Sequence, residues 1–384
     1  MIPLRIAPAA AGQIARHAAA RSSSGLLQLR LQTPISASII SSSSLSSSSS
    51  SRSGSRLGLV AGRRHFSATS SAFSTTTTTE VGGGGGGGDK TVPLVYDLHA
   101  PNKPAAVADA KTAPIIVMHG LFGSKKNNRG ISKVLARDLG RYVYAVDLRN
   151  HGESPHHHRH DYGAMADDVA RFITEHGLKE PTLIGHSMGA KTAMALALQN
   201  PSLIANIISV DNAPIDARLG TDFAKYIRAM KEIDAANITR QAEADAILAA
   251  YEPSLPIRQF LLGNLYRPSP TETTSTTTTT TSHSKGKPGP VPQKFRVPLA
   301  ILSKALAHMG DFPFRDPGAA RFEKPALFVR GTKSTYVPDE ALPVIGQFFP
   351  RFELVDVEAG HWVISENPEA FRQAVVKFLE PKDD

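Results

Sequence analysis

The sequence predicts an α/β fold: a mostly parallel sheet flanked by helices, with an inserted helical cap. Three observations predict it. Short apolar runs ending in loops alternate with stretches of 3.6-residue periodicity; Gly or Asn-Pro lies near the end of those stretches; and the alternation resumes after one long helical interruption. The apolar runs "PIIVMHG" (114–120), "YVYAVDLR" (142–149), "PTLIGHS" (181–187) and "IANIISVDNAP" (204–214) read as buried strands. Between them "NRGISKVLARDLG", "YGAMADDVARFITEHG" and "GAKTAMALALQNP" read as helices. The pattern returns with "KPALFVRG" (324–331), "FELVDVEAGHW" (352–362) and a final helix, "PEAFRQAVVKFLE".

The interruption, about 216–323, is read as the cap. It holds the helical patterns "LGTDFAKYIRAMKEID", "NITRQAEADAILAAYE" and "LPIRQFLLGNLY". The Thr-rich run "TETTSTTTTTTSHSKGKPGP", about 271–290, has no capacity to pack and reads as a disordered insert without function. The folded domain is expected over 92–380, preceded by a Gly-rich flexible linker at 80–91. Residues 1–79 contain no Asp, Glu or Lys, but hold eight arginines and a long serine run, the composition of a mitochondrial transit peptide. The opening "MIPLRIAPAAAGQIARHAAAR" can form a helix with arginines on one side. "GRRHFSATSSAF" (62–73), with Arg64 two residues before Phe66, resembles a matrix-processing site. A plain basic tail and chloroplast targeting are the competing readings.

Those eight arginines carry most of the formal net charge of +9; the rest of the chain has 35 basic and 34 acidic residues. Net charge therefore gives no reason to expect a nucleic-acid partner. No run reaches the roughly 18 apolar residues of a membrane span. With no cysteine, disulfides, thiolate metal sites and a cysteine nucleophile are excluded. No cofactor is implied, because no dinucleotide- or phosphate-binding glycine pattern follows any strand. "HHHRH" (156–160) lacks nearby carboxylates at ligand spacing, so no metal is expected there.

Gly185-His186-Ser187-Met188-Gly189 fits G-x-S-x-G between an apolar strand and a helix, the context that makes the pattern a nucleophile elbow. The turn is tight, and side chains at 185 or 189 would collide with the neighbouring strand or helix. The helix that follows aims its first amides at whatever Ser187 attacks. A serine needs a base and the base an orienting acid. His361, in "EAGHWVISENP" after the last strand, is the candidate base. Asp211, at the end of "ISVD", is the candidate acid; Asp339, eight residues beyond Gly331, is the alternative. "MHGLFGSKKN" (118–127) can supply the second oxyanion donor, so the Leu121 and Met188 amides are the expected pair and Phe122 the fallback. "DLRNHGESPH" (147–156) is read as a polar loop bordering the site.

These residues resemble the α/β-hydrolase superfamily across nearly all of 92–380. "HGLFGSKKN", "DLRNHGESPH", "GHSMGAK" and "VDNAP" are similar to one branch, containing bacterial esterases, a mitochondrial α/β-hydrolase-domain protein of animals and the mitochondrial ethanol acetyltransferases of yeasts. The resemblance implies a triad acid at Asp211 and a mitochondrial, matrix address reached through the import and processing machinery. It also implies cleavage of esters or thioesters, or acyl transfer from acetyl-CoA to an alcohol in place of water. The Thr-rich insert and the cap length depart from the branch. The competing class is a catalytically idle fold used as a binding or assembly module. An epoxide hydrolase or dehalogenase would need a carboxylate where Ser187 stands.

Overall fold

A computed structural model describes residues 91–102, 113–217, 221–269 and 290–380. The expected leader, the linker up to residue 90 and the insert up to residue 289 lie outside the described residues. The sheet has seven strands: β1 (Tyr96–His99), β2 (Ile115–Met118), β3 (Val143–Val146), β4 (Thr182–His186), β5 (Asn206–Val210), β8 (Ala326–Gly331) and β9 (Phe352–Val357). Their spatial order is β1-β3-β2-β4-β5-β8-β9, and every pairing is parallel except that of β1 with β3.

The interior strands are apolar at successive positions because both faces of the sheet are covered. Ile115, Val117, Ile184, Ile208 and Val329 pack with Ile131 and Leu135 of α1 (Arg129–Leu139) and with Phe371 and Val375 of the last helix, Pro368–Leu379. Their neighbours Ile116, Met118, Leu183, Ile207 and Phe328 face the other way. They pack with Met165, Val169 and Phe172 of α2 (Tyr162–Glu175) and with Ala190 and Met194 of α3 (Met188–Gln199). Local signals set the helix ends. Gly140, in left-handed conformation at φ 64°, stops α1, and the Asp161 carboxylate accepts the Ala164 N–H at 2.9 Å to start α2.

Between β5 and β8 run α4 (Thr221–Ala235), α5 (Gln241–Ala249) and α6 (Leu255–Leu262). A short hairpin of β6 (Leu265–Tyr266) and β7 (Lys294–Phe295) and a helix, Leu299–Ala305, follow. None of the described helices is long and apolar enough to cross a membrane.

The loop after β3 is fastened from inside. Arg149, fully buried, makes a two-pronged contact with the buried Asp168 of α2 at 2.6 and 2.7 Å, and the Val92 N–H donates to the same carboxylate at 2.6 Å. Lys125 bridges the carboxylates of Asp147 (2.9 Å) and Glu153 (2.7 Å), tying the loop after β2 to the loop after β3. Removing one member of a buried pair strands the other charge without a counterion. Asp168→Ala is expected to lower stability by about 3–5 kcal/mol. Urea unfolding measures this, and a loss below about 1 kcal/mol would contradict the structural role assigned to the pair.

Candidate active site

The end of β4 runs straight into α3 through one residue, Ser187, whose backbone stands at φ 54°, ψ −111°. A non-glycine residue holds such a conformation only where its surroundings enforce it, at a cost of about 1–3 kcal/mol. The surroundings do so here. A Cβ at Gly185 would collide with the Gly189 carbonyl, and one at Gly189 would stand 2.7 Å from the Met118 carbonyl oxygen of β2. The Ser187 N–H donates to the Val210 carbonyl at 3.0 Å, which anchors the turn to β5.

The structure brings Ser187, His361 and Asp211 into one hydrogen-bonded line. The Ser187 hydroxyl reaches His361 Nε2 at 3.0 Å, and His361 Nδ1–H donates to Asp211 Oδ2 at 2.7 Å. The Asp211 side chain is fully buried, and its carboxylate also accepts the Gly331 N–H at 2.9 Å and the Ser334 hydroxyl. These contacts hold the carboxylate so that one oxygen faces the imidazole. Asp339 lies apart from this line: it is exposed and pairs with Arg330 at 2.6 Å.

The loop after β2 presents backbone donors to the same place. The Phe122 N–H donates to His151 Nε2 at 3.1 Å, so it has an acceptor already. Among the described residues the Leu121 and Met188 N–H groups have no acceptor. Gly120 lies beside them; a Cβ there would be 3.3 Å from the Ser187 Cβ.

Burial lowers the pKa of four buried histidines in and behind the loops at this end of the sheet, which favours the neutral imidazole in each. Burial, followed by the neighbouring His119 and His160, drives the pKa of His151 well below its ordinary value; burial lowers that of His119 too. Burial pulls His186 down to about 4 and His160 to about 3. The hydrogen bonds agree. His119 Nε2 accepts the Leu148 N–H (3.0 Å) while its Nδ1–H donates to the Gly120 carbonyl (2.8 Å). His151 likewise donates from Nδ1 to the Arg149 carbonyl (2.9 Å). His186 donates from Nε2 to the carbonyl of His361 at 2.7 Å, fixing the backbone that carries the imidazole.

Sequence reading missed the groups that position these atoms. Tyr336 stacks on His361, with centroids 3.9 Å apart and planes 18° apart, and Ser334 serves the Asp211 carboxylate. Both lie in the loop after β8, where no acid stands close to the strand end. Strand order was the available signal, since β8 lies beside β5 and its loop must emerge next to Asp211. Lys191 was missed as well. Its buried ammonium donates to the carbonyls of Ile215 (2.9 Å), Gly310 (2.7 Å) and Asp311 (3.1 Å), and burial lowers its pKa to about 8.

A family model described as the α/β hydrolase fold matches residues 113–368. The chain belongs to the α/β-hydrolase family. Within that family, a probable alcohol acetyltransferase of Saccharomyces cerevisiae is 42% identical over 71% of this chain and 78% of its own length. Ethanol acetyltransferase 1 of Wickerhamomyces ciferrii is 33% identical over 76% of this chain and 75% of its own. An sn-1-specific diacylglycerol lipase of Xenopus tropicalis is 35% identical over 76% of this chain and 83% of its own. A solved marine microorganism esterase superposes with a TM-score of 0.64 at 28% identity, covering 75% of this chain and all of that one.

The neutral histidines set a pH dependence. Their folded-state pKa values are depressed, so below about 6.5 the unfolded chain binds more protons than the folded one. Their contribution is complete above that pH and is lost as the pH falls toward the folded values of about 3 and 4 for His160 and His186. Thermal unfolding followed from pH 7 to pH 4.5 should show a steadily falling Tm, and a flat profile would contradict the buried neutral state.

Proposed function

We propose that this chain is a serine hydrolase that cleaves carboxylic esters or thioesters through an acyl-enzyme on Ser187, and can hand the acyl group, from acetyl-CoA for instance, to an alcohol. The observation that carries this reading is the Ser187–His361–Asp211 line at 3.0 and 2.7 Å, with the serine held at a strained backbone angle. The named relatives agree in chemistry: acetyl transfer to an alcohol and lipase or esterase action are both acyl transfers, differing in the acceptor.

In this mechanism His361 Nε2 takes the hydroxyl proton as Ser187 Oγ bonds the acyl carbon. The carbonyl oxygen gains negative charge and is held by the Leu121 and Met188 amides. His361 then gives its proton to the departing alcohol or thiol as the old bond breaks. Water or a second alcohol, deprotonated by His361, attacks the acyl-enzyme, and the proton returns to Ser187. Asp211 keeps the imidazole in the tautomer that accepts from serine and stabilises the imidazolium. The Tyr336 stack and the His186 bond restrict the ring to that orientation.

A fluorophosphonate probe should label the purified wild-type chain and leave Ser187→Ala unlabelled. A folded wild type that takes no label would favour the binding-module reading. Asp211→Asn should cut turnover by about 10⁴-fold through the wrong imidazole tautomer. Asp339→Asn should stay close to wild type, and the opposite result would reassign the acid.

The address we propose is the mitochondrial matrix, on the composition of residues 1–79. A fluorescent fusion of the full chain should co-localise with mitochondria, and deletion of 1–79 should abolish this. Localisation that survives the deletion would remove the leader's role.

A further inference from the structure

The space in front of Ser187 is nearly closed. It measures about 10 Å³, enough for about one water molecule or for the carbonyl oxygen that the Leu121 and Met188 amides would hold. Ser187, Leu121 and Met188 line it from the sheet domain, and Ala217, Met309 and Gly310 line it from the segment between β5 and β8. The latter three come from two stretches far apart in the chain, and those stretches are fastened to each other. The Ala217 N–H donates to the Gly310 carbonyl at 3.0 Å, and the Phe312 N–H donates to the Asp216 carboxylate at 2.8 Å. Arg315 pairs with the same carboxylate.

Lys191 is a charged group that meets both stretches. It lies one turn beyond Ser187, lines the same space and is 2% exposed. Its ammonium has three N–H donors, and they meet three carbonyls: Ile215 from one stretch, Gly310 and Asp311 from the other. Asp216, Asp311 and Arg315 act on it through space, and the Tyr162 ring of α2 lies 5.7 Å from its nitrogen. An apolar side chain of similar length could fill the volume, but only a protonated amine supplies three donors. Loss of one proton leaves one of the three carbonyls without its donor, away from water.

We propose that Lys191 is a positioning residue for acyl transfer: its protonated ammonium holds the cover over Ser187 in the arrangement that admits the carbonyl oxygen and little else. This rests on Ser187 being the nucleophile. The third proton is the lever. Burial lowers the Lys191 pKa to about 8, against the raising effect of Asp216 and Asp311 and with a further lowering by Arg315. The three-donor form therefore prevails below that pH and is lost as the pH rises through it. Burial holds the Tyr162 and Tyr336 phenols, which share the space, above their ordinary value, so they stay un-ionised over the same range.

For the full chain, kcat/KM for ethyl acetate, counted per serine titrated with a fluorophosphonate, should fall about tenfold between pH 8 and pH 9.5. Lys191→Met keeps the length of the side chain and removes the charge. It should turn over about tenfold more slowly at pH 7 and stay level from pH 8 to pH 9.5. A lysine that only stabilised the fold would change the amount of active protein and leave the per-site pH profile in place. A second readout needs no variant. In the wild type, amide-exchange protection of 215–217 and 309–312, corrected for intrinsic pH dependence, should drop between pH 7 and pH 9.5 while that of β4 and β5 holds. A wild-type rate level to pH 9.5, an alkaline fall retained in folded Lys191→Met, or unchanged protection of both stretches would overturn the positioning role alone. Absence of all Ser187-dependent turnover would overturn the nucleophile reading and this inference together.

Discussion

The architecture depends on how closely the backbone of β4 and α3 can approach β2 and β5. A strand cannot pass into a helix through a single residue unless the chain folds back on itself at contact distance. Gly185 and Gly189 permit that contact, and Ser187 at φ 54° is its product. Once the turn is made, its neighbours have little freedom. The serine hydroxyl projects from the carboxyl end of the central strand, the first amide of α3 points toward the same space, and β5 delivers Asp211 from the adjacent strand end. Asp211 is itself at φ 52°, so two strained residues on neighbouring strands face one imidazole. Strain of this kind persists only in a rigid setting, which the sheet, buried on both faces, provides.

The loops around the centre use uncharged imidazoles as fixed hydrogen-bonding units. His119 and His151 each accept one backbone N–H and donate to one carbonyl, so the loops after β2 and β3 are joined without placing a cation next to His361. Charge is present but displaced: Lys125 with Asp147, and Arg149 with Asp168, lie in the loop bases. The same choice explains why Phe122 cannot stand in for Leu121, since its N–H already holds His151 in place.

Much of this was legible in the chain. The run "IIVM" is apolar at every position and "IISV" at all but Ser209, because both faces are buried, and that pattern survives without knowledge of neighbours. The elbow was legible for the same steric reason that it exists, and His361 because it follows the last strand. The edge strand β1 was not, since "YDLH" is short, half-exposed and mixed in character. Tyr336 and Ser334 escaped because their roles come from strand adjacency; nothing in "TKSTY" indicates that a carboxylate from another strand will arrive beside it. The cavity of about 1010 Å³ among α1, α6 and residues 362–372 escaped for a related reason: its volume arises from how those elements meet, and no local pattern encodes it.

Lys191 gives the inserted helices a mechanical asymmetry. One ammonium, on the first turns of the serine's own helix, grips the chain shortly after it leaves β5, at Ile215, and again on its way back toward β8, at Gly310 and Asp311. Tyr162 adds a bond to the Met309 carbonyl at 2.7 Å beside it. Two separate stretches of the segment between β5 and β8 are thus held at one point. At the other side of the same segment, Phe260 of α6 meets Trp362, the neighbour of His361, with centroids 4.5 Å apart. The chain that leaves β5 after Asp211 and the chain that comes back toward β8 are therefore tied to the very helix that Ser187 begins, so the inserted helices and the elbow share one anchor.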